Sequence, residues 1–133
     1  MTEKLGRAPK VLVVSNQQTT GPLWVFSLQQ RQLNVLLEAD PTRTLQRCEM
    51  ESPDLIILDV NMPGLDGYGV CRKLRSHRAT QDVPVIFLSA QSDAAYEHEG
   101  LKAGGDDYLT KPISPSRLVV RVEAALRRAR QRV

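Results

Sequence analysis

The sequence predicts an α/β fold in which five β–α units form one doubly wound parallel sheet with helices on both faces. Two observations carry that expectation. Short aliphatic, β-branched runs recur along the chain, and after each one comes a segment whose apolar residues have helical spacing. Strands separated by helices are joined by right-handed crossovers, which makes the sheet parallel and covers both of its faces. A length of 133 residues suits one domain, whose core needs neither disulfide nor metal staple.

Taken in order, KVLVV (10–14) reads as a buried strand. TTGPLWVFSLQQR (19–31) follows as a helix, with Thr20 the candidate N-cap and Pro22 tolerated in the first turn. NVLLEA (34–39) is the second strand and PTRTLQRCEMES (41–52) a short helix closed by Pro53. DLIIL (54–58) is the third and most apolar strand. After the turn-rich NMPGLDG (61–67), YGVCRKLRS (68–76) suits a helix and VPVIFL (83–88) a fourth strand. SDAAYEHEGLKAGG (92–105) is a helix ended by Gly104 and Gly105, which suit a left-handed terminator. DDYLT (106–110) and a basic helix from Ser114 complete the five units. No internal repeat is evident.

Composition excludes several classes. Hydrophobic content of 41%, charge of 25%, and 8 Pro and 8 Gly are ordinary for a globular protein and unlike a collagenous or low-complexity chain. The longest aliphatic runs, VLVV and LIIL, are too short to cross a bilayer, and the first ten residues lack the apolar stretch of a secretion signal. A cytoplasmic protein without membrane contact is the expectation, and Cys48 and Cys71 are expected as small buried or half-buried thiols. Net charge is +3, and from Arg117 onward six arginines face one acid, Glu123. Because Leu118, Val122, Ala125 and Ala129 recur at helical spacing, Arg121, Arg128 and Arg132 are expected on the wet side of an amphipathic last helix. Nucleic acid is therefore not expected as a partner of this domain alone.

In an open α/β sheet the ligand crevice lies outside the carboxyl ends of the strands, where the strand order reverses. Ser15, Asn16, Asp59, Ser89 and Lys111 occupy those ends and can converge on one spot. A lone Asp at a strand end is usually a turn-former or cap; a hydroxyl and a lysine arriving from neighbouring strand ends change its meaning. Such a cluster suits phosphoryl transfer to a carboxylate. Asp59 would attack phosphorus, Lys111 would set positive charge beside the phosphoryl oxygens, and Ser89 would donate a hydrogen bond to one of them. A divalent metal normally completes such a set.

The segments ILDVNMPGLDGYGVCRKLR, PVIFLSA and GGDDYLTKP, in that order, closely resemble the receiver domain of two-component response regulators, the CheY-like family. The resemblance covers about residues 9–130, leaving 1–8 as an N-terminal extension and 131–133 as a tail or the start of a linker. It implies a (βα)5, flavodoxin-like fold. It implies Asp59 as phosphoacceptor, Ser89 as switch hydroxyl, Tyr108 as rotating aromatic and Lys111 as the lysine that senses the phosphoryl group. It also implies a Lys111–Pro112 bond that is typically cis. A histidine kinase or phosphotransfer protein would be the donor, and residues 92–130 would face an effector or output domain; a homodimer is compatible with it. Beyond phosphotransfer to its own Asp59 and autodephosphorylation, the family resemblance implies no enzymatic activity.

One departure stands out. Family members normally carry two adjacent acids after the first strand that help hold Mg²⁺, and here those positions are Ser15 and Asn16, both neutral. Asp59, the Asn16 amide oxygen and the Asn61 backbone carbonyl are the ligands left to a hard cation that favours carboxylates. The missing acids cost about 1.5 to 3 kcal/mol, roughly ten- to more than hundred-fold in affinity, so Mg²⁺ is expected to bind weakly. Two readings follow: a receiver that accepts phosphate inefficiently, or an atypical receiver that binds partners without phosphorylation. SNQQTTG (15–21) has the character of a phosphate-binding loop, but with 5% aromatics and none in that loop, no flavin is expected. Trp24 is expected in packing, Asp66 in turn and capping chemistry, and His77 and His98 on solvated helix faces with no metal or relay role.

Overall fold

The computed structural model describes residues 8–15, 21–60, 66–90 and 94–131. Strands β1 (Lys10–Val14), β2 (Asn34–Glu38), β3 (Leu55–Asp59), β4 (Val85–Ser89) and β5 (Asp107–Thr110) pair in parallel as one sheet of order β2-β1-β3-β4-β5. Helices α1 (Gly21–Gln29), α2 (Thr44–Glu51), α3 (Gly67–Arg75), α4 (Ala94–Lys102) and α5 (Pro115–Arg130) make the crossovers. The order reverses between β1 and β3, so the crevice predicted from the sequence opens between those two strand ends.

Alternation along the strands divides the core into two layers. Val11, Val13, Ile57, Ile86 and Leu88 face one way, against Trp24 and Leu28 of α1 and Leu118 and Val122 of α5. Leu12, Val14, Ile56, Leu58 and Phe87 face the other, against Cys48 of α2 and Cys71 and Leu74 of α3. Covered from both sides, β3 is buried at all five residues, which is why its sequence is a continuous apolar run. Trp24 is core, as expected.

Local chemistry sets the boundaries. Asp40 accepts from the Thr42 N–H and opens a 3-10 turn over Pro41–Arg43, so α2 starts at Thr44 rather than at Pro41. Gly104 ends the α4 turn with a φ of +110°, a conformation open to glycine and strained for other residues. Ser114 caps α5 by accepting from the Arg117 N–H at 3.2 Å, with Pro115 in the first helical position. The proposed Thr20 cap lies outside the described residues.

One expectation for α5 is corrected. Arg121 does not point into solvent: its Nε and Nη2 donate to the two Asp107 oxygens of β5 at 2.8 and 2.7 Å, a bidentate pair across the helix–sheet boundary. That bond raises the Arg121 pKa. Arg128 is exposed as expected, and Arg132 lies outside the described residues.

Cys48 and Cys71 are both free and buried in the α2–α3 layer. Burial, and next the neighbouring Glu49, push the Cys48 thiol up from 9.0 to about 11. The folded state then keeps a proton that the unfolded chain releases. Its contribution to stability is complete below pH 9.0 and is lost as pH rises toward about 11. Urea midpoints measured across that window should fall with a shallower slope in Cys48→Ala than in the parent protein.

Candidate functional site

The ladders bring the strand tips level: Val14 lies beside Leu58, Asp59 beside Leu88, and Ser89 beside Thr110. Each strand keeps pairing for one more backbone bond, with Ser15 N–H donating to the Glu38 carbonyl at 3.0 Å, Val60 N–H to Leu88 at 3.0 Å and Lys111 N–H to Ser89 at 2.7 Å. The loops therefore leave the sheet from a common level, and the residues at the exit meet.

Asp59, 0% exposed, is held from both sides. Ser15 Oγ donates to its Oδ2 at 2.9 Å, and Lys111 Nζ donates to its Oδ1 at 2.8 Å. The lysine side chain is 14% exposed, so the ion pair sits in a largely dry place where an unpaired carboxylate would be costly. Ser89 is fully buried at the tip of the adjoining strand. The Lys111–Pro112 peptide is cis. Tyr108 turns into the α3-side layer at 8% exposure, where its hydroxyl lies 3.3 Å from that of Tyr68.

Ser15, Asp59 and Lys111 are thus joined by direct bonds, with Ser89 alongside. Asn16 and Asn61 lie outside the described residues. Among the described residues no three His, Cys, Asp or Glu side chains gather as a metal site, and Asp59 is the carboxylate bonded to Ser15 and Lys111. Ser15, which reads in the sequence as a lost acid, serves here as a hydrogen-bond donor to the acid that is kept. Tyr68 escaped the sequence reading altogether, since nothing in YGVCRKLRS marks one aromatic as the partner of another on a distant strand.

The remaining candidates separate cleanly. Asp66 stands at the N-cap position of α3 but makes no side-chain capping bond, which corrects the capping expectation; its Oδ2 instead receives Arg72 Nη2 at 3.3 Å on the surface. His77 Nδ1 bonds the Lys73 carbonyl one helical turn back, and His98 is exposed on α4.

With this geometry in place, comparison with known proteins is decisive. The family described as the response regulator receiver domain matches residues 11–123. The chain belongs to that family. This receiver domain is 38% identical over 120 residues to the alkaline phosphatase synthesis transcriptional regulatory protein PhoP of Bacillus subtilis, covering 90% of this chain and 49% of that protein. It is 35% identical over 127 residues to the phosphate regulon transcriptional regulatory protein PhoB of Rhizobium meliloti, covering 94% of this chain and 55% of that protein. The chain therefore spans about half the length of the curated relatives it matches. Among solved structures, the Francisella response regulator 1452 receiver domain superposes with a TM-score of 0.82 at 33% identity, covering 90% of this chain and 98% of that one. The BeF3-activated receiver domain of Klebsiella pneumoniae RstA gives 0.80 at 29%, with 89% and 98% covered. The receiver fold, (βα)5 and CheY-like, is the architecture described above. No helix among the described residues of the receiver is long and apolar enough to cross a membrane.

Proposed function

We propose that this receiver, working in the cytoplasm, accepts a phosphoryl group on Asp59 from a histidine kinase or phosphotransfer protein. The observation that carries the proposal is the Asp59 carboxylate held at the strand tips between the Ser15 hydroxyl and the Lys111 ammonium. An Asp59 oxygen attacks phosphorus, a new O–P bond forms, and the donor's P–N or P–O bond breaks with its electron pair leaving on the donor. Lys111 moves its hydrogen bond from Asp59 Oδ1 to a phosphoryl oxygen, and Ser89 offers its hydroxyl to another. The donor set of one carboxylate and neutral neighbours suits magnesium poorly, so the ion binds weakly and no step here is assigned to it. The altered tip biases a two-state equilibrium read on the face of α4, β5 and α5, within residues 92–130, by an effector or an output domain. The domain's chemistry is confined to phosphoryl gain and loss on its own Asp59.

The same ion pair favours a second reading. Asp59 is balanced by Lys111 without a metal, as in a receiver that stays in one state and binds partners unphosphorylated. Incubation with acetyl phosphate or phosphoramidate, with and without Mg²⁺, followed by intact mass, separates the two. The expected result is one added phosphoryl group, absent in Asp59→Asn. No addition from any donor moves the function to the second reading.

A further inference from the structure

Three rings meet beneath α4. Tyr68 comes from the first turn of α3, Phe87 from β4, and Tyr108 from β5, where it lies beside Phe87 in the strand ladder. Tyr68 meets Phe87 edge-on, with centroids 5.2 Å apart at 73°, and Phe87 and Tyr108 are tilted neighbours at 6.3 Å. The hydroxyls of the two tyrosines complete the group at 3.3 Å.

Gly100 of α4 sits directly on these rings. A Cβ there would lie 3.0 Å from Tyr108, 3.1 Å from Phe87 and 3.2 Å from Tyr68, so the helix rests on all three with no room between. The strands that carry the rings end at the site: Ser89 is two residues beyond Phe87, and Lys111 three beyond Tyr108. A change at either tip is therefore transmitted to a ring on which α4 stands.

The hydroxyl pair is the weak member of the group. Oxygen-to-oxygen hydrogen bonds centre near about 2.7–2.8 Å, so one of 3.3 Å is long and easily exchanged. Burial, and next the Tyr108 hydroxyl, push the Tyr68 phenol up, so it stays protonated at any physiological pH and the pair is a neutral bond.

We propose that Tyr68 is a positioning residue of the switch: its hydroxyl holds the Tyr108 ring in the core beneath Gly100, and release of that bond lets Tyr108 leave and α4 resettle. The inference rests on the proposed function only in taking Tyr108 as the moving aromatic of the switch; the latch itself is a property of the unmodified protein. It accounts for a tyrosine, rather than a leucine or phenylalanine, on the inward side of α3 at this level.

The chain has three tyrosines, so 3-fluorotyrosine labelling gives three ¹⁹F resonances, assigned with Tyr96→Phe and Tyr108→Phe. In Tyr68→Phe, which keeps the ring and deletes the hydroxyl, the Tyr108 resonance should move toward the solvent-exposed position and gain sensitivity to H₂O/D₂O exchange. The outward population should rise about five-fold, the shift expected from one neutral hydrogen bond. Gly100→Ala, which crowds the rings without touching a hydroxyl, should displace the same resonance. A Tyr108 resonance that is unchanged in Tyr68→Phe overturns the proposal, because ring packing alone would then hold Tyr108. Should Tyr68→Phe not fold, Tyr108→Phe tests the same bond through the Tyr68 resonance, with the same two outcomes. No phosphoryl donor is needed, so an Asp59 that resists acetyl phosphate leaves this readout intact. An unmoved Tyr108 in a protein that acetyl phosphate does modify sinks the latch alone.

Discussion

The double variant Ser15→Asp, Asn16→Asp should bind Mg²⁺ at least about ten-fold more tightly than the parent protein, as measured by titration calorimetry. The physical reason lies in what Ser15 now does. Its hydroxyl donates to Asp59 Oδ2 at 2.9 Å, and a carboxylate in its place would set like charge beside a buried acid. Without metal the variant should therefore be less stable than the parent, by about 1 to 3 kcal/mol, through loss of the bond and charge repulsion. Millimolar Mg²⁺ should restore the difference, because a ligand that binds only the folded state raises its stability by mass action. A variant that binds the ion no better than the parent would refute the electrostatic account of the site.

The second large effect is expected at Lys111. Lys111→Met removes the cation from a carboxylate that is 0% exposed, and breaking a buried pair in this way costs about 3 kcal/mol. For a domain of this size that is a fall of roughly 10 °C in Tm. Adding Asp59→Asn should recover more than half of the loss, since the charge that had been stranded is gone. Urea unfolding of the two single variants and the double variant gives the coupling directly. Strictly additive effects would show that the 2.8 Å contact carries no interaction energy.

Much of this arrangement is legible in the chain. The run LIIL followed by Asp59 announces both the covered central strand and the acid at its tip, because a strand packed on both faces has no polar side to show. Gly104 and Ser114 mark element ends through backbone freedom and capping, which are local effects. The convergence of Asp59 and Lys111 follows from topology alone, since parallel strands in one sheet present all their carboxyl ends to one edge. What escapes is contact between distant segments. Helical periodicity assigns Arg121 to the outer side of α5 without revealing that Asp107, 14 residues earlier, waits there. The Tyr68–Tyr108 bond spans 40 residues and has no periodic signature. Ser15 is instructive in another way: its type shows that a charge is missing, but only its placement shows that a donor has been gained.

The clasp between Arg121 and Asp107 also bears on how the molecule avoids its own kind. β5 is an outer strand of the sheet, only four residues long, and such borders are open templates for a stray chain in extended form. A guanidinium locked bidentate to the first residue of that border sets a charged pair at one end of a short template. The opposite border, β2, carries Leu37 outward at 53% exposure, and there Arg47 of α2 donates from Nη1 to the Leu37 carbonyl and to Glu38 Oε1, both at 3.1 Å. Both borders of the sheet thus carry an arginine reaching over from a neighbouring helix, a charged obstacle to the edge-on addition of another strand.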